Sequence, residues 1–550
     1  MQKTYWHGRD GDKRALTILV GAMFLLIVLV NLSRSSLHGH LAMVPTYDDI
    51  NYMADALYRL RFSTGEGLRS VVQSFTADPP HAPVTTITGM VGFWLVGPAP
   101  LAAYVANSWV VLLFLWFMAR LSRPLGGAVN RALFIATFLF VPAVQALVME
   151  FRPDLPAGLI LAITLHTLCT TDFGRATWRR RLALGALCVA STCIKPSAFV
   201  LVIPALGGTL LIVLARTLLF DRAAARATIV SLSQIIAVYL VLMVPLVRIW
   251  GPSIYGYVYD VLVTNADVWR SQGDWSTHLL YNSYGFGGLL ALGKFFRNGL
   301  LLILVDLAIF VFRSDRRQRG VLEYYFVVVM LYGALSVSGE KTVYQGSFFY
   351  FPFIIAFAGA SIRILTFIRD VVGFGFLVRT SLAVILAIYI YQMPLASYYY
   401  GAEPFAYRLR PVVDRITTLT GDVALANTGN PDCSGRPLTM VFTDALPIPT
   451  ELIRFEAAKI GVPVQASTTF MARDLGEMTR NAEEGDIVLI AAADHTSPSR
   501  WLPGVADNPR LLASLQSWGA ANRFDIKGED GKPLWLIVNP RCTAPPQRAH

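Results

Sequence analysis

Charge is scarce in this chain: 15% of its 550 residues are Asp, Glu, Lys or Arg, against 54% that are hydrophobic. With a mean hydropathy of +0.50, this excludes a string of ordinary soluble domains and points to a polytopic membrane protein whose first partner is lipid. There is no Walker loop, no Gly-x-Ser-x-Gly, no His-Glu-x-x-His and no Cys-x-x-Cys, so ATP-driven transport and zinc proteolysis lose support. No repeat or low-complexity tract appears. Cysteine is rare as well. Cys169, Cys188 and Cys193 fall in apolar stretches and read as small hydrophobes, whereas an oxidising compartment can join Cys433 to Cys542. The net charge of +11 and pI near 9.4 follow from membrane topology and anionic lipid. Nucleic acid is not needed to explain them.

A span needs about 20 mostly apolar residues to cross roughly 30 Å of hydrocarbon. Residues 16–32 supply the first without a charge. That stretch exceeds a signal-peptide core and no small-residue cleavage pattern follows it, so it is expected to stay. Further stretches run at 100–119, 131–149, 155–171, 182–196, 198–215, 227–250, 298–312, 322–338, 348–366 and 376–395, while 84–97 is short enough to be a surface helix. The expected fold is therefore a polytopic α-helical membrane protein of about 11–13 spans with a C-terminal exterior α/β domain.

Arginines cluster in alternate loops: Arg120, Arg123 and Arg131; Arg175 and Arg179 to Arg181; Arg216, Arg222 and Arg226; Arg313 to Arg319; Arg363, Arg369 and Arg379. Positive loops stay cytoplasmic. With Lys3, Arg9, Lys13 and Arg14 also inside, residues 37–83, 251–297, 339–347 and everything after 396 fall outside.

The composition becomes soluble after Tyr398-Tyr399-Tyr400, dividing the chain into a membrane domain over 1–397, with its first exterior loop at 37–83, and an exterior domain over 398–550. Runs at 423–426, 438–442, 487–492 and 534–538 predict strands; 450–460, 472–483 and 509–518 predict helices stopped by Gly461, Gly485 and Gly519. The Pro-Pro ending reads as a frayed tail.

Asp48 and Asp49 follow the first span, at the bilayer surface where a lipid-linked substrate presents its polar head. Such carboxylates can accept a proton, hold a divalent cation, or cap a helix running from Ile50. His81, between prolines, can bind metal, donate to a phosphate or orient an aspartate. Glu150-Phe151-Arg152-Pro153-Asp154 lies on the same side, and arginine suits a phosphate through its planar fork. Lys195-Pro196 and the Gly339 to Tyr344 turn add Lys195, Lys341 and Tyr344; Lys195 can equally snorkel. Arg248, Lys294 and Arg297 are further cations on that side. Trp250, Trp269 and Trp275 fit an interfacial belt better than a sugar site. Asp494-His495 reads as a surface loop.

Taken in order, these pieces resemble the glycosyltransferase C superfamily, in the branch of protein mannosyltransferases and lipid A aminoarabinose transferases. The resemblance covers about 14–366: Asp48-Asp49 after the first span, His81-Ala82-Pro83 where the family often has His-Pro-Pro, Arg152-Pro153-Asp154, the Lys195 turn, and Lys341 with Tyr344 before Pro352. It implies an inverting transferase that moves a monosaccharide from a polyprenyl-phosphate donor to a lipid, glycan or protein acceptor at the periplasmic face of a bacterial inner membrane. Asp48 or Asp49 would be the base, and Lys195, Arg152, Lys341 and Tyr344 would lie near the donor phosphate. Asp-Asp departs from the family's Asp-Glu and leaves open which aspartate acts. A divalent metal at Asp49, His81, Glu150 or Asp154 is a further expectation. The rival readings are a transporter or flippase, for which Asp306 is the main intramembrane charge, and an oligosaccharide ligase or polymerase.

Overall fold

The computed structural model describes residues 10–45, 48–63, 65, 67–313, 319–372, 375–392, 409–444, 448–491, 501–528 and 533–545. The chain divides into two compact units: residues 1–33, 79–85 and 107–399, and residues 34–78, 86–106 and 400–550. The expected boundary at 397/398 and the Asp494-His495 pair lie outside the described residues.

Every apolar stretch read as a span is largely helical where described. Among the described residues six helices are long and apolar enough to cross a membrane: Gly11–His38, Pro100–Leu121, Pro196–Phe220, Arg222–Thr264, Gly320–Val337 and Ser347–Val371. A seventh arises if Ala128–Phe138 and Pro142–Met149, bent by 80°, count as one span. Pro142 begins the second half, and its missing N–H breaks the hydrogen-bond ladder there. Asp154–Thr170 is apolar but has only 17 residues. The short 84–97 stretch is the helix Pro83–Val96.

In the first unit, Asp154–Thr170 packs against Ser347–Val372 so closely that a Cβ on Gly158 would overlap the Ser347 carbonyl. Glycine is what permits this backbone approach. At the far end of Asp154–Thr170, a Cβ on Gly320 would likewise meet the Cys169 carbonyl, and that same oxygen accepts from Arg216 Nη1 at 3.1 Å. Arg216 also pairs with Glu323 at 3.0 Å. The turns at 150–154, 195 and 341–347 thus share one end of this bundle, and those at 169, 216 and 320 share the other. Between them Asp306, buried, accepts from Arg363 Nε at 2.9 Å and from Tyr325 Oη at 2.8 Å. A low-dielectric carboxylate needs such partners.

In the second unit a five-stranded sheet has the order β2-β1-β3-β5-β4, with β1 at Leu438–Phe442, β2 at Val464–Thr468, β3 at Ile487–Ala491, β4 at Arg523–Lys527 and β5 at Pro533–Val538. β1 is parallel to β2 and β3, whereas β5 is antiparallel to β3 and β4. The helices Leu475–Glu484 and Asn508–Leu515 bury Met478, Ala482, Leu511 and Leu512 against Val441, Val488 and Ile537 of one face. Residues 423–426, expected as a strand, are instead the last turn of the helix Arg410–Ala426. Val412, Val413, Ile416, Leu419 and Val423 bury one stripe at helical spacing, and Pro411 sits at the start. β2 and β4 had no expectation, since Gln465, Ser467, Arg523 and Lys527 dilute their apolar signal.

Segments from the N-terminal third belong to this unit. The helix Asp49–Phe62 packs beside Thr450–Lys459: Arg454 stacks over Tyr58 at 4.5 Å, and Phe93 meets Phe455 at 5.8 Å. Cys433 and Cys542 form a disulfide across 109 residues, with Cα atoms 5.8 Å apart. Beside it the buried Asp486 accepts both Arg436 Nη atoms at 2.7 Å and Arg541 Nη2 at 3.0 Å. Replacing both cysteines by alanine is expected to cost about 2–5 kcal/mol, read as a lower denaturant midpoint for this unit. Reducing the wild type should reproduce the shift.

Candidate active site

Glu150 ends the helix Pro142–Met149 in an extended conformation, and Asp154 opens the next helix four residues later. The turn between them is buried: Glu150 is wholly inaccessible, and Arg152 and Asp154 nearly so. Four charges held there must neutralise one another. Arg152 Nε donates to Glu150 Oε2 at 3.2 Å, and Lys195 Nζ donates to Asp154 Oδ1 at 2.5 Å. The Arg152 guanidinium lies 3.5 Å above the Tyr344 ring centre, a cation–π stack that fixes its plane. One turn beyond Tyr344, Ser347 Oγ donates to the Asp154 carbonyl at 2.7 Å.

The structure therefore gathers Glu150, Arg152, Asp154, Lys195 and Tyr344 around one turn. Two carboxylates and two cations leave this knot with no net formal charge. Lys341 sits near by in sequence but is turned elsewhere. Its Nζ donates to the carbonyls of Leu335 and Ser336, at 2.9 Å for the latter, capping the end of Arg319–Val337. Its backbone is held by Ser271 Oγ at 3.0 Å, and partial burial lowers its pKa below the ordinary lysine range. His81 is exposed, with its ring edge-on to Tyr257 at 4.6 Å. Trp269 and Trp275 are exposed too.

In the second unit the adjacent aspartates have opposite environments. Asp48 is exposed and occupies the N-cap position of Asp49–Phe62, without a side-chain capping bond. Asp49 is 1% exposed; its Oδ2 accepts from Tyr104 Oη at 2.7 Å and lies 3.4 Å from His40 Nδ1. Near Asp48, burial raises the Glu451 carboxyl above its usual range, and the Asp48 charge adds to the shift. His40 and Tyr104 were not anticipated. Tyr104 sits inside an apolar run, and nothing in the spacing of His40 marks it.

The fit to a divalent cation differs among the expected ligands. Asp154 is ion-paired to a fixed cation, which opposes a metal there. His40 with Asp49 offers an imidazole and a carboxylate, a usual donor combination for transition metals.

Lys195→Met would strand Asp154 as a buried charge and is expected to cost about 3–5 kcal/mol. Asp154→Asn with Lys195→Met should recover most of the thermal stability in detergent.

No protein-family profile and no curated protein matches this chain. Among solved structures, ArnT from Cupriavidus metallidurans is similar both in the apo state and bound to undecaprenyl phosphate. In each case the identity is 13% and the TM-score 0.56, covering 96% of this chain and 99% of that one. The archaeal oligosaccharyltransferase AglB from Archaeoglobus fulgidus, in complex with an inhibitory peptide and a dolichol-phosphate, aligns at 12% identity and TM-score 0.50, covering 96% of this chain and 74% of that one. The chain thus shares its fold with these ArnT structures, with a small mixed sheet domain at its C-terminal end.

Proposed function

We propose that the protein is an inverting membrane glycosyltransferase that moves a monosaccharide from a polyprenyl-phosphate donor to a lipid, glycan or protein acceptor. The observation that carries this reading is the buried turn that holds Arg152, stacked on Tyr344, beside Lys195, in a fold shared with a protein solved bound to undecaprenyl phosphate. The arginine-rich loops support a site facing the extracytoplasmic side of a bacterial inner membrane. The Cys433–Cys542 disulfide supports the same side, since it requires an oxidising compartment.

In this mechanism the donor phosphate takes over part of the hydrogen bonding that Glu150 and Asp154 now supply to Arg152 and Lys195, while Lys341 keeps its carbonyl cap. Asp48 is the base: its carboxylate is exposed at the start of its helix. The acceptor hydroxyl gives its proton to Asp48 as its oxygen attacks the anomeric carbon. The bond from that carbon to the phosphate oxygen breaks, and polyprenyl phosphate leaves from the opposite face. Asp49, held by Tyr104 and near His40, positions the start of the helix. A divalent cation on His40 and Asp49 would supply charge stabilisation there; no step is routed through it. The transporter reading loses its main support, because Asp306 is bonded by Arg363 and Tyr325.

Asp48→Asn should lower transfer by about 10²–10⁴-fold without weakening donor binding, when measured with radiolabelled monosaccharide phospholipid. Normal turnover in Asp48→Asn would remove the base assignment. Turnover of an oligosaccharide pyrophospholipid alone would replace this reading with a ligase.

A further inference from the structure

The sheet of the second unit ends in polar groups that have no hydrogen-bond partner among the described residues. From β1 the chain passes through Thr450–Lys459 to β2 on one side, then through Leu475–Glu484 to β3 on the other. The carboxyl end of β1 is therefore a topological switch point, where open α/β sheets place their ligands. Thr443 follows β1 and Thr469 follows β2, continuing a register in which Phe442 pairs with Thr468. Both extend the face that bears Val441 and Ser467, against which Asn508–Leu515 packs.

At this edge Thr469 is 0% exposed and Asn508 is 8% exposed. Among the described residues, Thr469 Oγ1 and Asn508 Oδ1 are buried with no hydrogen-bond partner. Two such groups cost stability unless something outside the fold satisfies them. Asn508 is fixed in orientation, because its Nδ2 donates to the Thr443 carbonyl at 3.0 Å and leaves Oδ1 as an acceptor. The segment leading to Asn508 runs over the same edge: Gly504 N donates to the Phe470 carbonyl at 2.9 Å, and a Cβ on Gly504 would overlap the Thr469 carbonyl. Trp501, at the start of that segment, is 56% exposed, and the half-buried Asp444 carboxylate follows Thr443.

The geometry points to a second ligand site at the carboxyl end of β1, which takes a neutral saccharide. An amide oxygen, a carboxylate and a hydroxyl are mostly acceptors, so the matching ligand is one that donates several hydrogen bonds. Sugar hydroxyls do so, and an exposed indole offers an apolar face for the ring. A phosphate would meet the like charge of Asp444. This inference goes beyond the transferase reading and stands on the sheet alone. It gives the outer domain a task of its own, holding a glycan.

The test uses the full chain in lipid nanodiscs, titrated separately with chitotriose, mannotriose and inorganic phosphate, followed by calorimetry and tryptophan fluorescence. At least one trisaccharide should bind at about 1 mM or tighter, with a fluorescence change that Trp501→Ala abolishes. Thr469→Val removes the hydroxyl at constant shape. It should leave the melting temperature unchanged or raised while weakening saccharide binding by about tenfold or more. A lowered melting temperature in Thr469→Val would mean that the hydroxyl is already satisfied within the fold, and would overturn the proposal. So would the absence of binding by either trisaccharide to folded protein, or preferential binding of phosphate. Saccharide binding that persists while Asp48→Asn turns over normally would sink the transferase mechanism and leave this site standing.

Discussion

Asp154 ties three turns of the chain together, and the candidate donor site depends on it. Its side chain holds Lys195, its carbonyl holds Ser347, and two residues earlier Arg152 stacks on Tyr344. Each cation is thus set in place by an acid from the same short segment. Burial makes this necessary, because an unpaired ammonium or guanidinium would be too costly in so dry a position. On the transferase reading, a site built this way meets a phosphate by exchange of partners, which cuts the reorganisation that binding demands.

The aspartate pair follows a different logic. Consecutive residues at the start of a helix point about 100° apart, so one carboxylate faces the interior while its neighbour faces out. Asp49 takes the inner position and is fixed by Tyr104; Asp48 keeps the outer one. The proposed division of labour between base and positioning group rests on that rotation and requires no difference in side-chain chemistry. Beside them Glu451, on a helix of the second unit, lies close enough for Asp48 to raise its pKa. The long C-terminal segment therefore bears directly on the surroundings of the acidic helix.

Helices were legible in the sequence because apolar runs of this length have few alternatives, and the strands β1, β3 and β5 were legible because buried Val, Ile and Leu runs mark them. The run at 423–426 misled, since four apolar residues fit a strand or the buried stripe of a helix equally well, and only the preceding turns decide. At the site, charges standing next to spans were conspicuous: Glu150, Arg152, Asp154 and Lys195 could be named before any geometry. Their pairing could not, because it depends on which turns share an end of the bundle. His40 and Tyr104 were invisible for a related reason. Neither is unusual for its local segment, and both matter only through a contact with a residue distant in number. The cap formed by Lys341 was hidden too, since a lysine in a turn carries no sign of which carbonyls it will meet.

Gly158 has a mechanical consequence. With the Ser347 backbone filling the space where a side chain would stand, and the Ser347 hydroxyl bonded to Asp154, the two helices interlock and cannot slide a turn past each other without breaking both contacts. Shear along this seam is closed to the protein. On the transferase reading, an isoprenoid tail would then have to be admitted by motion away from this seam, and the π-helical turn Asp260–Thr264, which ends the 43-residue span, is one place where the backbone departs from regular helix.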